Sequence, residues 1–199
     1  MTTAPDRTGL SRADILPMGD YARIRAAKRR EMVAVKKNRR VSVGPSATFH
    51  FESYETMWLQ IHEMLYIEKG GEEQIADELR AYNPLIPKGG ELVATLMFEI
   101  DDPIRRKDLL DRIGGVENTI TLEFAGETVA AVPERDVERT SEEGKASSVQ
   151  FIHFSLTAEQ VAKFREQGTR AILGVGHDQY AHMAVLPEAI RAELARDFR

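Results

Sequence analysis

Glu91-Leu92-Val93-Ala94-Thr95-Leu96-Met97-Phe98-Glu99-Ile100 decides the fold. Leu92, Ala94, Leu96, Phe98 and Ile100 recur at every second position, and a period of two places all five side chains on one face of an extended chain. The segment therefore predicts a half-buried strand. Downstream, Asn118 to Phe124 and Glu127 to Val132 flank Ala125-Gly126 as a hairpin, and Ser148 to Leu156, Arg170 to Val175 and Ala181 to Leu186 read as three further strands. Helices are expected between and after them: Pro103 to Arg112, a second opened by the capping box of Thr157 and Gln160 and closed by Gly168, and a third with Pro187 at its first position. Strands joined by hairpins, with isolated helices between, predict an α+β fold: a largely antiparallel sheet with packed helices. Pro133 to Ser147 is charged and poor in apolar residues, and is expected to be a mobile connection.

Upstream, the loop Tyr82-Asn83-Pro84-Leu85-Ile86-Pro87-Lys88-Gly89-Gly90 closes a helix from Glu72 to Ala81. Before it, Ser53 caps a helix running to Lys69, with Gly70-Gly71 as its stop. Val41 to Glu52 reads as two short strands around Gly44-Pro45, the second carrying Phe49 and Phe51 on one face and His50 and Glu52 on the other. Met18 to Arg40 is rich in Ala, Arg, Lys, Glu and Met and predicts a long basic N-terminal helix. The expected organisation is a polar, disordered tail over 1–10 and one α+β domain over 11–199. Within that domain the basic helical arm spans 11–40, strands and a buried helix 41–90, and the antiparallel sheet with helices 91–199.

The chain has 199 residues, a net charge of −5 and no cysteine. Cysteine nucleophiles, Cys-ligated zinc and iron–sulfur clusters held by this chain's own thiolates are thereby excluded. Gly-x-Ser-x-Gly and P-loop motifs are missing, and Gly174-x-Gly176 lacks the third glycine of a dinucleotide fingerprint. With no basic-then-apolar leader and no apolar run near 18 residues, a cytoplasmic protein without a membrane span is expected.

The helix from Ser53 to Lys69 is apolar nearly all round, which predicts burial and makes its ionisable residues informative. On a 100° helical wheel Glu68 falls in the middle of an apolar arc, Glu63 between Leu59 and Ile67, and His62 between Trp58 and Tyr66. One reading joins His62, Glu63 and Glu68 to His50 and Glu52 as an internal site for a divalent metal or a polarised substrate. The other pairs Glu68 with Lys28 and lets His62 donate to a carbonyl. No Glu-x-x-His, His-x-x-x-His or His-Glu-x-x-His spacing decides for the metal. His177 beside Asp178 reads either as a base with its orienting carboxylate or as a turn with solvated side chains. Arg23, Arg25, Lys28, Arg29, Arg30, Lys36, Lys37, Arg39 and Arg40 stand against Glu31 alone between Tyr21 and Arg40, leaving the rest of the chain strongly acidic. Such a face suits a protein partner, a solvated surface or docking against the chain's own acidic part; nucleic acid is disfavoured by the acidic remainder and by the want of interleaved aromatics.

Ser11-Arg-Ala-Asp-Ile-Leu-Pro17, Arg39-Arg40-Val41, Phe51-Glu52, Gln60-Ile-His-Glu63-Met64-Leu65, Tyr82-Asn-Pro-Leu-Ile-Pro87, Glu91-Leu-x-Ala-Thr-Leu96 and Gly176-His177 occur in this order. Together they resemble a bacterial family known only as domain of unknown function 3501, over the span from Leu10 to Leu194. Glu52, Glu63 and His177 lie within the family-like strings and Glu68 three residues beyond one of them, whereas the late loop has Gly176-His177-Asp178 where members more often show Asp-His-Pro. The resemblance implies a place near rubrerythrin and an iron–sulfur oxidoreductase, in peroxide or iron–sulfur redox metabolism. The expectation is therefore an accessory protein that docks such a redox partner. A metal-binding protein or metal-dependent enzyme built on the His/Glu set is the alternative, and nucleic-acid binding through the basic helix is the second alternative.

Overall fold

A computed structural model describes residues 7–134 and 144–199. Helix α1 (Met18–Lys37) leads into strands β1 (Arg40–Val43) and β2 (Ala47–Phe51), then helices α2 (Tyr54–Glu68) and α3 (Gly71–Tyr82). Strand β3 (Glu91–Phe98), helix α4 (Pro103–Leu110), and strands β4 (Ile120–Phe124), β5 (Glu127–Ala130) and β6 (Val132–Pro133) follow. The chain ends with β7 (Val149–Ser155), α5 (Ala158–Arg165), β8 (Ala171–His177), β9 (Tyr180–Val185) and α6 (Glu188–Leu194). The fold is α+β with every strand pair antiparallel, but the strands form two sheets where one was expected: β1-β2-β3-β7-β6 and β5-β4-β8-β9. The expected strand 127–132 is divided between them. β5 pairs with β4, the chain turns at buried Ala131, and β6 pairs with β7 in the other sheet.

The period-two stripe points into the space between the sheets. Leu92, Ala94, Leu96 and Phe98 meet Phe49 and Phe51 from β2 and Ile152 and Phe154 from β7, facing Ile120, Leu122, Leu173 and Val175 of the second sheet. Each such side chain, fully removed from water, stabilises the fold by about 1.5–3 kcal/mol. Leu110, Phe164, Leu194 and Phe198 complete this core from α4, α5, α6 and the C-terminal segment. Ile100, expected inward, lies beyond the end of β3 and is only half-buried.

The outer face of the first sheet carries a helical layer. Val93 and Phe151 pack beneath Met57, Ile61 and Leu65 of α2, Ile75 of α3, and Leu85 and Ile86 of the following loop. α1 lies over α2, where Tyr21 and Met32 meet Leu59. The start of α2 follows the sequence closely: Ser53 accepts from Thr56 N, and the Thr56 side chain returns the bond to Ser53 N. Its end does not, because Lys69 rather than a glycine takes the left-handed conformation (φ 58°), and Gly70 and Gly71 open α3. α1 stops at Lys37, so Arg39 lies in the connection after the helix and Arg40 opens β1. Pro187 stands one position outside α6, as its cap.

Of the tail expected over 1–10, residues 1–6 lie outside the described residues. Leu10 is buried against α2, and its backbone N–H and C=O are both bonded by the Asn83 side chain, at 2.7 and 2.8 Å. Of the connection 133–147, residues 135–143 likewise lie outside the described residues. Pro133 belongs to β6, and Ala146 is buried with its N–H bonded to Leu110 O.

Candidate functional site

The helical layer does not cover the whole outer face of the first sheet. Because side chains alternate along β2 and β3, Thr48, His50, Thr95 and Met97 share the face opposite the core stripe. α2 and the end of α3 shelter only part of it. The remainder is a cavity of about 350 Å³, walled by His50, Glu52, Thr95, Met97 and Phe151 from the sheet side, Thr56, Met57 and Gln60 from α2, Tyr82 at the end of α3 and Leu85 beyond it, and Lys36 and Arg39 at the α1–β1 junction.

Three side chains give the cavity its character. Glu52 is buried, with Oε1 accepting from the Thr95 hydroxyl at 2.7 Å and Oε2 from the Thr56 hydroxyl at 2.6 Å. His50 lines the same wall, and its Nε2 is buried without a hydrogen-bond partner. Burial, reinforced by the Arg40 guanidinium, holds the His50 pKa below the ordinary histidine value, which favours the neutral ring. Arg39, 3% exposed, bonds the carbonyls of Phe51 (3.0 Å) and Glu52 (2.8 Å) and the carboxylates of Glu193 (3.4 Å) and Asp197. Burial pushes the Asp197 pKa up to about 6 despite Arg39. Arg39 thus makes four hydrogen bonds and fixes the end of β2, and with it Glu52, to the C-terminal segment.

The proposed metal set divides into three places. His50 and Glu52 share the cavity. His62 and Glu63 lie on the other side of α2, under α1. His62 is fully buried between the rings of Trp58 and Tyr21, at centroid distances of 3.9 and 4.9 Å. Its Nε2 accepts from Leu16 N at 3.0 Å, so Nδ1 carries the proton and donates to Trp58 O at 2.7 Å. Both nitrogens are used, as the carbonyl-donating alternative required. Glu63 accepts from Tyr21 Oη at 2.6 Å and takes a bidentate bond from Arg25 at 2.7 and 2.8 Å. The Arg25 bond is the leading reason that the Glu63 pKa is depressed. Glu68 is exposed at the end of α2 and accepts from Gln74 at 2.7 Å. The wheel placed it in an apolar arc, but that end of α2 runs past the packed layer into solvent, and Lys28 pairs with Glu31 instead. Among the described residues no three His, Asp or Glu side chains converge as metal ligands would.

His177 and Asp178 sit at the β8–β9 turn of the other sheet. His177 accepts from Gln179 N at 3.2 Å and contacts Gly114 O through Nε2 at 3.3 Å, while Asp178 is exposed. The imidazole's two nitrogens are therefore held by backbone groups rather than by Asp178. The nine cations are dispersed as well. Arg25 and Arg29 face Glu63, Arg23 faces Asp20, Lys28 faces Glu31, Arg40 faces Glu99 and Arg39 is buried. Arg30, Lys36 and Lys37 have no ion-pair partner among the described residues. Thr56, Gln60, Tyr82 and Thr95 were not legible as site residues. Only Thr95, a polar interruption on the outer face of an otherwise apolar strand, carried a sequence signal.

No helix among the described residues is long and apolar enough to cross a membrane. No curated protein matches the chain. A solved structure of a novel protein of unknown function from Burkholderia pseudomallei K96243 is similar, with a TM-score of 0.88 at 36% identity, covering 96% of this chain and 99% of that one. The family described as protein of unknown function (DUF3501) matches residues 9–198, and the chain belongs to that family.

Proposed function

We propose that this protein binds a small polar molecule in the cavity between the first sheet and the helical layer, with His50 and Glu52 as its recognition groups. The observation that carries the reading is the buried, unpartnered Nε2 of His50 on the cavity wall. Leaving such a group unsatisfied costs about 1–3 kcal/mol, so it persists where a bound molecule or a reaction uses it. A cavity of about 350 Å³ has the size of a small-metabolite site. Its mixture of aromatic and aliphatic walls with a few polar groups also fits that role.

The resemblance to the family gives this reading a setting. In it, the protein is a cytoplasmic accessory to a rubrerythrin-like protein or an iron–sulfur oxidoreductase; having no cysteine, it would present a bound molecule while the partner supplies the redox centre. A divalent metal is the second reading, favoured by the same free imidazole nitrogen two residues from Glu52. It has only two of the donors such a site needs, and Lys36 and Arg40 lie close by. Nucleic-acid binding is left with Arg30, Lys36 and Lys37, too few cations to hold a phosphate backbone tightly.

The test is to purify the untagged protein from its own host and to analyse the small molecules and metals released on denaturation, beside a His50→Ala variant. A compound released in near-stoichiometric amount by the wild type and lost in the variant supports the binding reading. Stoichiometric zinc, iron or manganese supports the metal reading, and the same released material from both proteins contradicts a site at His50.

A further inference from the structure

The cavity has a charge axis. Glu52, 8% exposed, is held by two threonine hydroxyls, and no cationic side chain pairs with it among the described residues. Arg39, the nearest guanidinium in the wall, spends its donors on two carbonyls and on Glu193 and Asp197. Hydroxyl donors soften the burial of a carboxylate but do not neutralise it, and buried charges in proteins are normally paired. At the solvent edge the position is reversed. Lys36 is exposed and lines the cavity, and its side chain makes no hydrogen bond or ion pair among the described residues. Glu52 in the interior therefore lacks a cationic partner and Lys36 at the edge an anionic one among the described residues.

We infer that the molecule held here is a small zwitterion with an amine at one end and an acid at the other, its ammonium group inward on Glu52 and its carboxylate outward at Lys36. The inference rests on the binding reading above and names its ligand class. An ammonium group brings three donors and a charge to a wall that offers the remaining lone pairs of Glu52 and the neutral imidazole of His50. The aliphatic spacer would lie along Met57, Met97 and Phe151, which also line the cavity. A simple acid would meet Glu52 as a like charge, and a simple amine would leave Lys36 unused.

Isothermal titration at pH 7.5 with linear ω-amino acids of three to six carbons, the matching carboxylic acids and the matching alkylamines tests the proposal. At least one ω-amino acid is expected to bind wild-type protein tenfold or more tightly than its amine-free counterpart. Glu52→Gln, which keeps the size of the side chain, should cut that affinity at least tenfold. Lys36→Ala, at an exposed position, should cut it severalfold while leaving alkylamine binding unchanged. Thermal melts of both variants establish that they are folded. Equal binding of the acids, binding by Glu52→Gln as tight as by wild type, or no binding of any ω-amino acid overturns the zwitterion assignment. In that case, another compound recovered from the native protein and lost in His50→Ala leaves the binding reading standing, whereas a protein that binds nothing at His50 removes both.

Discussion

Three histidines show how environment decides what one residue type does. His62 has both nitrogens bonded and a ring on either side; it holds α2 to the segment before α1. His62→Ala should cost about 3 kcal/mol in urea denaturation, close to the loss of a buried aromatic side chain. His153 bridges Glu91 and Glu134, each at 3.0 Å, joining β7 to the start of β3 and the end of β6. The Glu91 bond, reinforced by Glu134, raises the His153 pKa above its ordinary value. Its folded pKa is raised, so its contribution is full below the unfolded value of about 6.5 and is lost as pH rises through the folded value. His153→Gln should therefore lower stability by about 1–3 kcal/mol at pH 6 and by much less at pH 9. His50 differs from both in that its Nε2 is buried without a hydrogen-bond partner, which is why it is the one proposed to recognise a ligand. Sequence separated these roles only in part. The alternation of Phe49, His50, Phe51 and Glu52 placed His50 and Glu52 together on one face, but no spacing in the chain could show that α2 would take up His62 completely and leave His50 open.

At the level of elements, the corner between the two sheets depends on one tyrosine. Tyr180 Oη accepts from Ser46 N at 2.9 Å and Ala47 N at 2.8 Å and donates to Val43 O at 2.8 Å, tying β9 to the β1–β2 turn. Tyr180→Phe would leave these buried backbone groups without a partner, and a loss of about 3 kcal/mol is expected by chemical denaturation. Gly44, in the same turn, has φ +71°, and a Cβ there would stand 2.5 Å from the His182 ring and 2.9 Å from Tyr180 Oη. Gly44→Ala should therefore cost more than the roughly 1–2 kcal/mol of left-handed backbone strain alone, seen as a lowered melting temperature. Helices and strands were legible to within a few residues because their signals are local: capping boxes at Ser53 and Thr157, the period-two stripe of β3, the glycines of the turns. The division into two sheets was not, since the switch at Ala131 is fixed by β6 pairing with distant β7 rather than by anything within 127–132. Glu68 failed for a related reason: a wheel gives the angle of a side chain about its helix, not where along the helix the packing ends.

For the whole molecule, charge layout matters more than net charge. Of the readings open for the basic segment, pairing with the chain's own acidic residues accounts for six cations: Arg23, Arg25, Lys28, Arg29, Arg39 and Arg40 are each met by a carboxylate of the same chain. Arg25 and Arg29 join α1 to α2 through Glu63 and Arg39, beyond the helix, joins the C-terminal segment, while Arg23 and Lys28 pair within α1. Fluorescence anisotropy should accordingly show no tight binding to duplex DNA at about 150 mM salt, where weak phosphate contacts are screened. What the layout leaves open is the outer face of the first sheet at His50 and Glu52, with Lys36 of α1 at its edge; these three stood among the candidates in the sequence, but their enclosure with Thr56, Gln60, Tyr82 and Thr95, from elements far apart in the chain, did not. The most direct test is a protein-observed NMR titration with a library of small polar compounds. Compounds that bind are expected to shift resonances of His50, Glu52, Thr56, Gln60 and Thr95 together, and His50→Ala is expected to abolish those shifts. Binding confined to other surfaces, or shifts at the cavity that persist unchanged in His50→Ala, would contradict this expectation.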